Sequence, residues 1–389
     1  MKNIFLSLLL IGGFFKIFGQ EAPIATLNTN LAVGDTARFI MRAVDNGTIK
    51  IDFGDGKPIE VLLGAYRSFP QGAVGESKTI KIYGSPSLID VFSIYNAKIT
   101  NIDVSKLSEL KCLGLGKNSL SQLDLSQNFT LEELIIYANK FTQIDISILP
   151  ELKLFNCAGN SITDLDFSAN KKIQTLYCGS NKLSKIEVSM IDSLKILECQ
   201  SNEIEVLNIS KNTYLVQLCC DRNKLTRLDI SQNKNLRYFT CTNNYLVFGT
   251  LPLFKPVIAT SYIYAPQKDF QLPDTTGYVD FSEGYEIEGF KTNYIWRTSA
   301  GKTLIKGIDY EINNGITLFK KKGLEVFCEL SNEAFPLLSG EYLLKTSNTI
   351  TKLHNVSNEM DAYLENIGMY TDLKQIFVLC PLGSKIVVY

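Results

Sequence analysis

Residues 110–130 read LKCLGLGKNSLSQLDLSQNFT, and residues 131–151 read LEELIIYANKFTQIDISILPE. Laid one over the other, Leu110 meets Leu131, Leu113 meets Leu134, Leu115 meets Ile136, Asn118 meets Asn139 and Leu120 meets Phe141. The pattern L-x-x-L-x-(L/C)-x-x-N-x-L restarts at Ile89, Leu110, Leu131, Leu152, Ile173, Leu194, Leu215 and Leu236, each time 21 residues on. A unit this short cannot bury its own apolar face, so identical units must stack and bury it together.

Stacking in register turns each repeated position into a column. Phe92, Leu113, Leu134, Phe155, Leu176, Leu197, Leu218 and Phe239 form one apolar column, and Ile99, Leu120, Phe141, Ile162, Leu183, Ile204, Leu225 and Leu246 form another. Asn118, Asn139, Asn160, Asn181, Asn202, Asn223 and Asn244 form a polar one, where a short amide donates to and accepts from nearby main chain as the strand turns away. The first unit has Ala97 there, as expected of an atypical end coil. The second half of each unit alternates, as in Leu123-Asp124-Leu125-Ser126 and Leu228-Asp229-Ile230-Ser231, which reads as a short extended stretch with Asp outward. The row Asp103, Asp124, Asp145, Asp166 and Asp229 is interrupted by Glu187 and Asn208, which favours turn capping over a cation ladder.

Cys157, Cys178, Cys199, Cys220 and Cys241 fall on the inward position held by Ile94, Leu115 and Ile136 in earlier units. There cysteine acts as a small apolar residue, and parallel in-register side chains disfavour disulfide dihedrals. Cys112 and Cys219 fall on outward positions and are the better candidates for reactive thiols.

The array resembles the short-repeat, internalin-like leucine-rich-repeat proteins exported by bacteria, in particular the Bacteroidetes-type surface proteins with a cysteine in the strand. That resemblance covers about 165 residues, from 89 to 253. It implies a mostly β solenoid of eight coils with a parallel concave sheet, flanked by small β domains. It also implies ligand binding, to proteins and sometimes glycans, on that sheet. Outward strand positions carry Tyr95, Tyr137, Tyr177 and Tyr238, with Glu133, Asn156, Glu198, Gln200, Asp221, Arg222 and Arg237. Tyrosine and arginine are the residue types enriched at binding hot spots.

Outside the array, residues 1–20 combine Lys2, an apolar run from Ile4 to Phe15 and a Gly19-Gln20 junction, the pattern of a secretory signal peptide. No run offers the roughly 20 apolar residues of a spanning helix. Residues 21–88, expected to form an N-terminal β domain or cap, alternate as strands and contain Asp52-Phe53-Gly54-Asp55-Gly56, similar to the strand-turn motif of polycystic-kidney-disease-type β domains. Residues 254–352, with Trp296, Tyr294, Cys328 and Phe335, resemble the immunoglobulin-like β-sandwich that follows such arrays. Residues 353–389 resemble the beginning of a C-terminal sorting module.

Chemistry is sparse. Of 389 residues one is histidine, His354, so triads and histidine metal sites have almost nothing to draw on. Net charge is -1, which does not supply the basic surface that nucleic acid requires. Glu198 and Asp221, on adjacent strands, are the pair to test for glycoside hydrolysis. The expectation is a non-enzymatic, exported recognition protein with a protein partner, no cofactor and no metal; the alternative is a carbohydrate-binding or carbohydrate-degrading surface protein.

Overall fold

The computed structural model describes residues 21–253, 261–271, 277–338 and 344–350; the expected signal peptide, His354 and the segment 353–389 lie outside them. The repeat coils as its columns require. Parallel strands run from Ile89–Ile94 through Cys112–Gly114, Glu133–Ile135, Leu154–Asn156, Thr175–Tyr177, Ile196–Glu198 and Gln217–Cys219 to Tyr238–Thr240. Each pairs with its predecessor at a shift of one unit, so that Leu134 faces Leu113 and Phe155. The two apolar columns are buried throughout and merge into one core. The second half of each unit carries no helix, in keeping with its alternating pattern.

The asparagine column closes the second to the eighth coil. Asn181 donates its amide to Cys178 O of its own coil at 3.1 Å and to Cys157 O of the preceding one at 3.0 Å, while its Oδ1 accepts the Ile162 N–H at 2.9 Å. The residue before each asparagine takes a left-handed conformation: Lys117, Ala138, Gly159, Ser180, Ser201, Arg222 and Asn243 all have φ between 53° and 68° except Ala138 at 52°. Most of these are not glycine, so the amide bonds hold a backbone conformation that the residue itself disfavours.

At both ends the concave sheet runs beyond the 21-residue repeat. At the start, Thr36–Ala43 pairs antiparallel with Ile89–Ile94 and extends the concave sheet, and Gln71–Ala73 extends it again. On the opposite side Ala25–Thr29 pairs with Ile99–Asp103, inside the first coil. Phe39 lies edge-on to Phe92 at 5.6 Å, so residues 21–88 share the solenoid's core and act as its cap. The hydroxyl of Thr29 donates to Ala97 O, satisfying the coil that lacks the asparagine.

At the other end the sheet runs past residue 253. Ser261–Ile263 adds a ninth parallel strand beside Tyr238–Thr240, with Tyr262 stacked on Phe239 at 5.1 Å. Gln267 stands where an asparagine would, accepting the Asn244 N–H at 3.2 Å and donating to Cys241 O at 2.9 Å. The step is 23 residues, from Phe239 to Tyr262, and the amide belongs to Gln, so a fixed 21-residue template does not find this strand.

Beyond it, Asn293–Thr298, Leu324–Ser331, Leu344–Ile350 and Phe270–Gln271 form one sheet, and Tyr278–Asp280, Ile316–Phe319 and Tyr310–Asn313 another. Trp296 is fully buried between them, donating to Thr317 Oγ1 at 3.1 Å and meeting Phe319 edge-on. Phe335 stacks on Phe248 of the last coil at 5.7 Å, which seats this region against the solenoid.

Candidate functional site: the concave face

Alternation along the strands leaves three outward columns on the concave face. The first runs Val91, Cys112, Glu133, Leu154, Thr175, Ile196, Gln217 and Tyr238; the second Ser93, Gly114, Ile135, Asn156, Tyr177, Glu198, Cys219 and Thr240; the third Tyr95, Gly116, Tyr137, Ala158, Gly179, Gln200, Asp221 and Thr242. The third column lies just past the assigned strands, yet the main-chain ladder continues there, with Ala138 N–H on Ala158 O at 2.8 Å.

Two glycines explain how the tyrosines sit. A Cβ on Gly114 would meet the Tyr95 hydroxyl at 2.2 Å, and one on Gly116 would meet the Tyr137 ring at 2.2 Å. Both rings therefore lie over a glycine floor, with centroids 6.3 Å apart and planes 31° apart. Burial pushes the Tyr95 phenol up, against a hydrogen bond with Ser93 that lowers it. The pair is held before any ligand arrives. Tyr177 and Asn156 stand half-buried on the next strands, Asn156 accepting the Ala158 N–H at 3.2 Å. Tyr238 is 45% exposed at the far end.

The acids of the C-terminal half are already engaged. Asp221 accepts the Thr240 hydroxyl and, at 2.7 Å, the Thr242 N–H. Glu198 accepts the Gln217 amide at 2.7 Å. Gln200 packs over Gly179, with its Oε1 buried and without a hydrogen-bond partner among the described residues. Glu198 and Asp221 thus meet internal donors rather than facing each other across a cleft. Arg222 and Arg237 are not strand residues: Arg222 is a left-handed turn residue on one rim, and Arg237 precedes the strand on the other. Both are exposed.

The outward thiols lack the lowered pKa that marks a reactive cysteine. Cys112 is buried, and burial, with Glu133 beside it, pushes its thiol up to about 12. Burial also raises Cys219, next to Glu198 and Asp221, whereas a reactive thiol needs a lowered pKa. The five ladder cysteines are free and fully buried, and burial raises each of them.

Two acidic motifs are structural. In the DFGDG turn, Asp52 Oδ1 accepts the N–H groups of Gly54, Asp55 and Gly56 at 2.8, 3.1 and 3.0 Å. On the convex side Asp103, Asp124, Asp145, Asp166, Glu187, Asn208 and Asp229 each accept the N–H of the serine two residues on, at 2.7 to 3.1 Å. Asn208 accepts that bond as well as a carboxylate does, which accounts for the interruption in the acidic row.

What the sequence did not reveal is that the cap contributes to this face. Thr36–Ala43 places Arg38, Ile40 and Arg42 on its outward side, Arg42 paired with Asp90 at 2.6 Å. The loop after the strand Ile59–Leu63 presents Tyr66 at 89% and Phe69 at 69% exposure, and Arg67 between them acts electrostatically on Tyr95 and Cys112. Their only signal is a Tyr-Arg-Ser-Phe run ahead of Pro70, which means nothing until Thr36–Ala43 is known to continue the sheet.

No protein-family model matches the chain, and no curated protein does. Among solved structures it is similar to a leucine-rich-repeat protein of Leptospira interrogans, 25% identical over 38% of this chain and 41% of that one, TM-score 0.37. It is also similar to the functional domain of InlJ from Listeria monocytogenes, which includes a cysteine ladder: 19% identity over 66% of this chain and 65% of that one, TM-score 0.40. A third is the internalin InlF of Listeria monocytogenes, 21% identical over 37% of this chain and 44% of that one, TM-score 0.36. The chain spans less than two thirds of the length of each. By its own columns of leucine and asparagine and its own parallel strands, the protein is a leucine-rich-repeat solenoid.

Proposed function

We propose that the chain is an exported, non-enzymatic recognition protein that holds a protein partner on the N-terminal half of its concave face. The observation that carries the reading is the Tyr95–Tyr137 pair fixed over Gly114 and Gly116. Rings held in place before binding lose little side-chain entropy on contact, and tyrosine and arginine dominate interface energetics. Tyr66, Arg67 and Phe69 continue that surface onto the cap. Export rests on the signal-like residues 1–20; among the described residues no helix is long and apolar enough to cross a membrane. Burial of the ladder thiols suits an oxidising compartment, since exposed thiols would be the ones to react there.

The test uses a partner isolated with the chain lacking residues 1–20. Tyr95→Ala with Tyr137→Ala is expected to weaken binding by about 2 kcal/mol or more, roughly thirtyfold, without changing the melting temperature. Gly116→Ala, which displaces the Tyr137 ring without removing it, should weaken binding in the same direction. Unchanged affinity in both would sink the concave-face reading. Asp221→Ala is a poor probe, because it frees Thr240 and Thr242 and disturbs the fold.

A further inference from the structure

The formal charge of -1 hides a segregation. The carboxylates of the convex row are engaged in capping turns. The flank between the ladder asparagines and that row is basic on balance: its one carboxylate between residues 98 and 186, Asp164, lies 4.0 Å from Lys185. Immediately after the asparagine position stand Lys98, Ser119, Lys140, Ser161 and Lys182, a lysine on every second coil; Lys117 lies beside them on the left-handed turn. The row is straight because its main chain is laddered: the N–H of Ser119 meets Ile99 O, that of Lys140 meets Leu120 O and that of Lys182 meets Ile162 O, at 2.8 to 2.9 Å. Two coils separate successive lysines by about 10 Å. Among the described residues none of Lys98, Lys117, Lys140 and Lys182 forms an ion pair.

Two residues further along each coil runs a second row, Thr100, Ser121, Thr142, Thr163 and Ser184, of which all but Thr100 are exposed. In an extended stretch residues two apart share a face, so ammonium groups and hydroxyls line the same strip. Glu203, paired with Lys224 at 2.8 Å, and Glu205 end both rows at the sixth coil.

We propose that this flank, from Lys98 to Lys182, binds a linear acidic polysaccharide lying along the solenoid axis, with one acid group per disaccharide. The two-coil step matches the length of two sugar rings joined end to end, and the hydroxyl row supplies partners for sugar hydroxyls between the charges. A protein partner is disfavoured, because the two rows carry none of the aromatic or apolar residues that form interface cores. Nucleic acid is disfavoured too: its phosphates recur every ~3.4 Å along a strand, and the rows offer no ring on which a base would stack. The site lies off the concave face, so it stands or falls separately from the protein-binding reading.

The probe is a hyaluronan oligosaccharide, with neutral dextran, polyglutamate and single-stranded DNA as controls, titrated into the chain lacking residues 1–20. Hyaluronan is expected to bind, and to weaken as salt rises. The triple variant Lys98→Glu, Lys140→Glu, Lys182→Glu should bind at least about tenfold more weakly. The variant Lys111→Glu, Lys153→Glu, Lys195→Glu changes net charge equally on the opposite flank and should bind as the parent does. Should the first triple melt early, the milder Lys→Gln set at the same positions answers the same question. Ser121→Ala with Thr142→Ala and Thr163→Ala should weaken hyaluronan while leaving polyglutamate unchanged. Equal losses from the two flanks, equal retention of DNA or polyglutamate, or no hyaluronan binding would each overturn the proposal.

Discussion

Each coil of the solenoid turns twice, and asparagine serves both turns in different ways. At the concave-side turn the column Asn118 to Asn244 fills each coil from the second to the eighth, and each amide is fully used: Nδ2 bonds carbonyls of two coils and Oδ1 takes an N–H. At the convex-side turn the column runs Leu107, Asn128, Leu149, Asn170, Ile191, Asn212, Asn233. There Nδ2 bonds two carbonyls, but Oδ1 of Asn128, Asn170, Asn212 and Asn233 is buried with no protein partner. The first turn forces a left-handed residue and depends on its amide. The second closes by local main-chain bonds, such as Leu149 N–H on Ile146 O at 3.0 Å, and accepts leucine in place of asparagine.

The largest effect expected from breaking this contrast is at the concave turn. Asn181→Leu orphans the Ile162 N–H, which is buried and has no other acceptor, and removes two amide bonds to Cys157 O and Cys178 O. Each carbonyl keeps a second amide, from Asn160 and Asn202 respectively, so the main cost is the stranded donor. The loss should be on the order of 3 kcal/mol in denaturant unfolding. A loss below about 1 kcal/mol would show that the turn holds without its amide.

Next in size is the cysteine column beside that turn. Cys199 is fully buried, with neighbours of the same size above and below, so Cys199→Leu overpacks a close stack and should cost about 2 kcal/mol. The same volume is native at Leu115 and Ile136, where the coils above and below are built for it. A combined change of Cys178, Cys199 and Cys220 to Leu that cost no more than the single one would show that the column relaxes as a unit.

That contrast also sets what was legible in the sequence. A position used in every coil repeats at 21 residues and declares itself, as Leu134 and Asn139 do. A position that tolerates both leucine and asparagine alternates, and neither Asn128 nor Asn170 stands out against its neighbours. The same reason hid the ends: Gln267 does the work of an asparagine after a step of different length, and the cap strand Thr36–Ala43 joins the concave sheet by antiparallel pairing that no repeat encodes. Of the candidate site, side-chain direction was readable from alternation. Which groups were already engaged was not, because Asp221 and Glu198 find their partners one coil away.

A smaller effect sharpens the comparison from the convex side. Asn170→Leu removes two bonds to Ile146 O and Leu149 O, yet these carbonyls keep the N–H groups of Leu149 and Leu152, and a buried unpaired oxygen disappears. The two terms oppose each other, so stability should change by less than about 1 kcal/mol, in either direction. A loss as large as that of Asn181→Leu would mean that the two columns are equivalent, and that the leucine coils are compensated in some other way.

The smallest effect concerns pH and the serine-capped acids of the convex turn. Hydrogen bonds from Ser126, Ser147 and Ser168 hold the carboxyls of Asp124, Asp145 and Asp166 below the ordinary aspartate value. A group whose folded pKa is depressed adds stability that is fully present above its unfolded value, near pH 4, and is lost as pH falls through the folded one. The solenoid should therefore lose stability below about pH 4. Asparagine keeps the acceptor and has no proton to gain, as Asn208 does natively with the Ser210 N–H at 3.1 Å. Replacing Asp124, Asp145 and Asp166 together with asparagine should flatten the acid limb of the melting curve while leaving the neutral plateau almost unmoved. A plateau that drops as far as the acid limb would mean that charge, and not acceptance of the serine N–H, holds the convex turn.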